Sequence, residues 1–114
     1  MSKLMAVILT KNEARHIGDC IRSVAWTDGV LLSDSYSDDG TVEIARELDA
    51  AVVQRPFTNF AHQRNAALAD ARALGAGWVF FIDADERATP ALAEEIRRTI
   101  SEGEAAGWWV PRYN

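Results

Sequence analysis

The chain has 114 residues, with 12 basic against 17 acidic and a formal net charge of −5. That length suits one domain burying about two-thirds of its unfolded surface, and the charge has the wrong sign for gripping nucleic-acid phosphates. The single Cys20 cannot close an internal disulfide, and the about six apolar residues after Met1-Ser2-Lys3 are too few for a signal-peptide core or a membrane span; the cytoplasm is the expected compartment.

Apolar runs and helical patterns alternate along the chain. Leu4 to Leu9 reads as a buried strand, followed by Ile17, Cys20, Ile21 and Val24 at the spacing of one helix face. Val30 to Ser33 predicts a second strand. Asp39-Gly40-Thr41 is a turn and cap signal that opens a helix carrying Val42, Ala45 and Leu48. Ala51 to Gln54 predicts a third strand, closed by Arg55-Pro56. Asn59 then caps a helix from about Phe60 to Leu74, which Gly75-Ala76-Gly77 stops. Trp78 to Ile82 predicts a fourth strand. Thr89-Pro90 starts a fourth helix with Leu92, Ile96 and Ile100 on its buried stripe, ending near Gly103. Trp108 to Pro111 reads as one more strand.

This alternation predicts an α/β fold, a mostly parallel sheet with helices on both faces. With strand order 3-2-1-4, a crevice opens at the switch point between Thr10 and Asp83. Four polar clusters then share one rim: Thr10 to Glu13, Asp34 to Thr41, Arg55, and Asp83-Ala84-Asp85. The last places two carboxylates where a buried strand runs out into solvent. Carboxylate oxygens are hard ligands suited to Mn2+ or Mg2+, ions that keep positions open for substrate phosphates.

The order Thr-Lys-Asn-Glu, Asp-Ser-x-Ser-x-Asp-Gly-Thr, Phe-x-x-Gln-Arg-Asn and Asp-Ala-Asp-Glu resembles the nucleotide-sugar half of inverting family-two glycosyltransferases, with the Rossmann-like GT-A fold. The likeness is greatest to the branch that builds the lipopolysaccharide core. It covers nearly the whole chain as a single donor-binding domain, residues 1–114. The resemblance implies a nucleotide-diphosphate sugar as donor and a saccharide or glycolipid as acceptor, with a longer parent in the cytoplasm or at the periphery of the inner membrane. It implies that Thr10, Asn12 and Glu13 hold the base and that Asp34 accepts from the base edge. Asp83 would face the ribose and metal side, Asp85 would be the main metal ligand, and Arg64 would hold the diphosphate through paired hydrogen bonds.

Plainer roles stand beside these. Asp34 is also a turn cap, Asn12 and Glu13 are also helix caps, and Arg64 also fits a solvated helix face. His16 and His62 lack ligand-spaced partners, Cys20 falls on an apolar stripe, and the tryptophans read as packing residues, although one near the rim could stack on a base. The resemblance places the acceptor site and catalytic base beyond Gly107 to Asn114, so no catalytic base is assigned. Two expectations follow: donor binding without transfer, or a site completed by a second chain. Trp108 and Val110 on an uncovered strand edge are expected to favour a homo-oligomer. A haloacid-dehalogenase phosphatase is disfavoured by Arg87, where its motif needs Thr or Val, and by the lack of a lysine after Lys11. A receiver domain needs paired acids after the first strand and a late lysine.

Overall fold

The computed structural model describes residues 3–102. Its elements are β1 (Lys3–Thr10), α1 (Ala14–Ser23), β2 (Gly29–Asp34), α2 (Thr41–Glu47), β3 (Ala51–Gln54), α3 (Phe60–Ala73), β4 (Ala76–Asp83) and α4 (Pro90–Glu102). The strands form one sheet in the order β3-β2-β1-β4, with every pairing parallel. The expected strand at Trp108 to Pro111, the helix end near Gly103 and the apolar edge formed by Trp108 and Val110 lie outside the described residues.

Successive side chains of a strand point to opposite faces, and β1 shows this directly. Leu4, Ala6 and Ile8 join Ile17, Cys20 and Ile21 of α1, Ala45 of α2 and Ile96 of α4 in the core of one face. Met5 and Val7 join Leu31, Val79, Phe81 and the α3 residues Ala67 and Ala71 on the other. The small alanines let α3 lie close to the sheet. Being buried on both faces, β1 and β4 read as continuous apolar runs rather than alternating ones. No described helix is long and apolar enough to cross a membrane.

Two boundaries differ from the sequence reading for local reasons. Gly75 alone stops α3, in the left-handed region at φ 95°, while Ala76 and Gly77 already belong to β4. Lys3 pairs with Ala76 and Leu4 with Trp78, so Gly77 is the extra residue of an irregularity in the ladder, a common place for glycine in a strand.

Asn59 caps α3 as its sequence position suggests, its Oδ1 accepting from the His62 N–H at 2.8 Å. Asn59→Ala is expected to cost about 1 kcal/mol, read as a lower urea midpoint at unchanged slope.

Parallel pairing brings all strand ends to one rim. Thr10 lies opposite Asp34, Leu9 opposite Asp83, and Asp34 opposite Gln54. The order reverses at β1, so the crevice opens beside it, between β1 and β4.

Candidate functional site

A cavity of about 890 Å³ occupies this crevice, lined by residues of β1 and its following loop, the end of β2, the start of α3 and the end of β4. Of the residues singled out in the sequence, it brings together Thr10, Glu13, Arg64, Asp83 and Asp85. Asn12, Asp34 and Arg55 are not among the residues that line it.

The loops after β1 and β2 are fastened to each other. The Lys11 ammonium donates to the Tyr36 carbonyl at 2.8 Å. The Asn12 N–H donates to the Ser37 hydroxyl at 2.7 Å, and the Asn12 Oδ1 accepts from the Asp38 N–H at 2.9 Å. Asn12 and Tyr36 both take left-handed backbone conformations, φ 53° and 59°, a strain that the cross-bonding sustains. Asn12 thus shapes the loop and is not among the residues that face the cavity.

Glu13 is the N-cap residue of α1, yet its side chain makes no capping bond. The cap comes instead from Asp39, whose Oδ2 accepts from the Ala14 N–H at 3.1 Å, 25 residues along the chain. The Asp39 Oδ1 takes the Thr41 N–H at 3.1 Å and the Thr41 hydroxyl. Hydrogen bonds, led by that hydroxyl, hold the Asp39 carboxyl below its ordinary value. One exposed carboxylate therefore serves the starts of two helices, the structural role read from Asp39-Gly40-Thr41.

Asp34 corrects an expectation. It is 0% exposed, and its Oδ1 accepts from the Thr10 hydroxyl at 2.9 Å and the Ser37 hydroxyl at 2.6 Å. The Oδ2 accepts from the Ser37 N–H at 2.8 Å and the Gln54 amide at 3.2 Å. With both oxygens doubly engaged, the carboxylate braces the rim from below and has no free edge for a base. Ser35 is the neighbour that faces the cavity, and its hydroxyl accepts from the buried Gln63 amide of α3 at 3.0 Å.

Arg55 is the second correction. It belongs to a paired contact with Asp70 of α3, Nε–Oδ2 at 3.2 Å and Nη2–Oδ1 at 2.6 Å, and so pins β3 to α3. Arg64 is the cavity's guanidinium: it lies 5.3 Å from the Phe81 ring centroid, faces the cavity and has no ion pair among the described residues. Among the described residues, the aromatics at the mouth are phenylalanines and not tryptophans. Trp26 and Trp78 pack against the core, whereas Phe57 and Phe60, 49% and 73% exposed, meet edge-to-face at 5.1 Å and line the opening.

A sequence model of glycosyl transferase family 2 matches residues 5–114. The chain belongs to glycosyl transferase family 2. This family-2 chain is 39% identical over 97 residues to a glycosyltransferase of Rickettsia felis, covering 84% of the chain and 33% of that protein. It is 33% identical over 115 residues to the lipopolysaccharide core biosynthesis glycosyltransferase LpsC of Rhizobium meliloti, covering 96% of the chain and 42% of that protein. Its backbone matches glucosyl-3-phosphoglycerate synthase of Mycobacterium tuberculosis, crystallised with Mn2+ and UDP-glucose, with a TM-score of 0.67 and 23% identity, over 90% of this chain and 40% of that one. The architecture is the α/β fold of GT-A glycosyltransferases, and the family-2 chain spans about a third to two-fifths of these proteins' lengths.

In this family-2 chain the cavity groups chemically suited to a hard cation are two carboxylates. Asp83 and Asp85 are exposed at the cavity, and no hydrogen bond or ion pair among the described residues engages either side chain. No cluster of three or more His, Cys, Asp or Glu suited to a metal occurs among the described residues. Such a pair fits Mg2+ or Mn2+, which are bound through one or two carboxylates plus substrate phosphates and water. Cys20 lies beneath the turn, donating to the Asp83 carbonyl at 3.5 Å. Burial, ahead of the surrounding charges, pushes its thiol up to about 12, so the sulfur keeps its proton and offers no thiolate.

Proposed function

We propose that the chain is the donor-binding half of an inverting glycosyltransferase. It takes a nucleotide-diphosphate sugar, with Mn2+ or Mg2+ held by Asp83 and Asp85. The observation that carries this reading is the meeting, in one crevice, of two carboxylates and one guanidinium without ion pairs among the described residues, beside a polar wall made by Thr10, Glu13 and Ser35. A diphosphate needs cation charge, which the metal and Arg64 supply from two sides. A base and ribose need hydrogen-bonding groups, which the Thr10 and Ser35 hydroxyls and the Glu13 carboxylate offer. Asn12 contributes by fixing the loop that carries Thr10 and Glu13.

When bound, the cation neutralises charge on the departing nucleoside diphosphate. The family-2 match and the relative crystallised with Mn2+ and UDP-glucose support this donor chemistry. The relative named for lipopolysaccharide core synthesis supports a cell-envelope saccharide or glycolipid as acceptor. The proposed address is the cytoplasm or the periphery of the inner membrane. Donor binding is the part of the reaction these residues account for; transfer needs a base to take the acceptor proton, and none of the cavity residues is given that role. A non-catalytic nucleotide-sugar module, or a half-site completed by a second chain, shares the same cavity. Self-association through apolar residues such as Trp108 and Val110 belongs to the proposal and is read by sedimentation at high concentration.

Calorimetric titration of nucleoside diphosphates and their sugars, with and without Mn2+, tests the reading. Metal-dependent binding of one nucleotide is expected. Equal affinity with and without metal removes the metal from the proposal, and no binding of any member removes the donor site.

A further inference from the structure

The acidic turn after β4 is closed by a side chain with no role so far. The Glu86 N–H donates to the Asp83 carbonyl at 2.9 Å, and the Glu86 Oε1 accepts from the Asp83 N–H at 2.9 Å. Residue 86 thus bonds residue 83 in both directions. The same stretch is fastened to α1, where the Ser23 hydroxyl accepts from the Ala88 N–H at 3.0 Å and Asp19 meets Arg87 at 3.5 Å. The backbone carrying Asp83 and Asp85 is therefore held at several points, while the two carboxylates stay uncommitted.

We infer that Glu86 is a positioning residue for the cation site, acting through the Asp83 backbone, and is not itself a ligand; the inference rests on the donor-site reading above. A cation given only two protein carboxylates depends on how well those two are held in place, and the groups that orient ligands carry much of the affinity. The Glu86 oxygen bonded to the Asp83 N–H is turned to the backbone.

Glu86→Gln and Glu86→Ala separate the roles. Gln keeps a carbonyl oxygen for the Asp83 N–H and discards the charge; Ala discards both. Two quantities are measured on the whole chain: Mn2+ affinity, from the resonance signal of free Mn2+, and hydrogen exchange of the Asp83 amide in metal-free protein. Ala is expected to lower Mn2+ affinity about ten- to a hundredfold and to speed exchange at Asp83. Gln is expected to stay within about threefold of the unaltered chain on both, the scale of an ordinary surface change. If Gln is as damaging as Ala while the unaltered chain binds Mn2+, Glu86 acts by its charge or as a ligand and the inference is overturned. If Ala changes neither quantity, the turn holds without Glu86 and the inference is equally lost. Absence of Mn2+ binding by the unaltered chain, with UDP present as well as without it, removes the metal from the donor-site reading, and the positioning role goes with it.

Discussion

Asp85→Asn is expected to lower Mn2+-dependent nucleotide affinity roughly a hundredfold or more, because a metal contributes several kcal/mol of charge stabilisation to a diphosphate and each 1.4 kcal/mol is about tenfold. The substitution keeps the shape of the side chain and removes the negative oxygen that the proposed cation site relies on. The Asp85 side chain is exposed and has no hydrogen bond among the described residues, so stability should change by no more than about 0.5 kcal/mol. Loss of affinity with an unshifted melting curve is the signature of a ligand. Asp83→Asn should behave alike in binding, since its side chain is as exposed and as unpaired. Titration with the metal chelated should reduce the unaltered chain to the level of the Asp85 variant. If the variant instead binds nucleotide as well as the unaltered chain, the two aspartates are solvated surface groups and the cation has no place here.

What the sequence made legible follows from the range of the interactions involved. The strands at Leu4, Val30 and Trp78 were readable because burial on both faces writes an unbroken apolar run, the half-buried edge strand at Ala51 because Arg55-Pro56 closes its short apolar run, and the cap at Asn59 because donor and acceptor lie three residues apart. Alternation of strand and helix implied a parallel sheet, and the order 3-2-1-4, a premise borrowed from doubly wound sheets and found in the structure, put the crevice between Thr10 and Asp83. Apart from the local boundary shifts at Gly75 and Gly77, the misread site residues have partners far along the chain. Of the two roles read for Asp34, the local turn cap is visible in its bonds from Ser37, whereas the free acid for a base edge is not, because Thr10 and Gln54, 24 and 20 residues away, take the remaining positions. Arg55 looked like a rim cation, and Asp70, 15 residues on, takes it. Asn12 and Glu13 looked like caps for α1, and Asp39 does that work from the next loop. Phe57 and Phe60 carried a usable signal: two aromatics around a helix cap have little core to enter, and they now line the cavity mouth.

Asp34→Ala is expected to destabilise the chain by roughly 3 to 4 kcal/mol, because each hydrogen bond to a charged group is worth about 1.5 to 3 kcal/mol and the abandoned donors are only partly able to find water. The affected donors are the Thr10 and Ser37 hydroxyls, the Ser37 N–H and the Gln54 amide. Burial alone would push the Asp34 carboxyl up; the Ser37 side-chain and backbone bonds, with Gln54 and Thr10, outweigh it and hold the group below its ordinary value. The folded chain therefore releases this proton more readily than the unfolded one, whose carboxyl titrates near about 3.9. The contribution is complete above that value and is lost as pH falls from about 4 through the lower folded value. Urea midpoints of the unaltered chain and the variant should lie far apart at pH 7 and draw together in acid. Asp39, also held below its ordinary value, leaves a residual acid slope in both. Midpoints that stay equally separated down to pH 3 would mean that Asp34 stabilises by shape and not by charge. Because the carboxylate ties Thr10 of β1 to the loop that begins with Ser35, the variant should also lose nucleotide affinity under conditions where it is still fully folded: the wall facing the base loses the brace that sets its position.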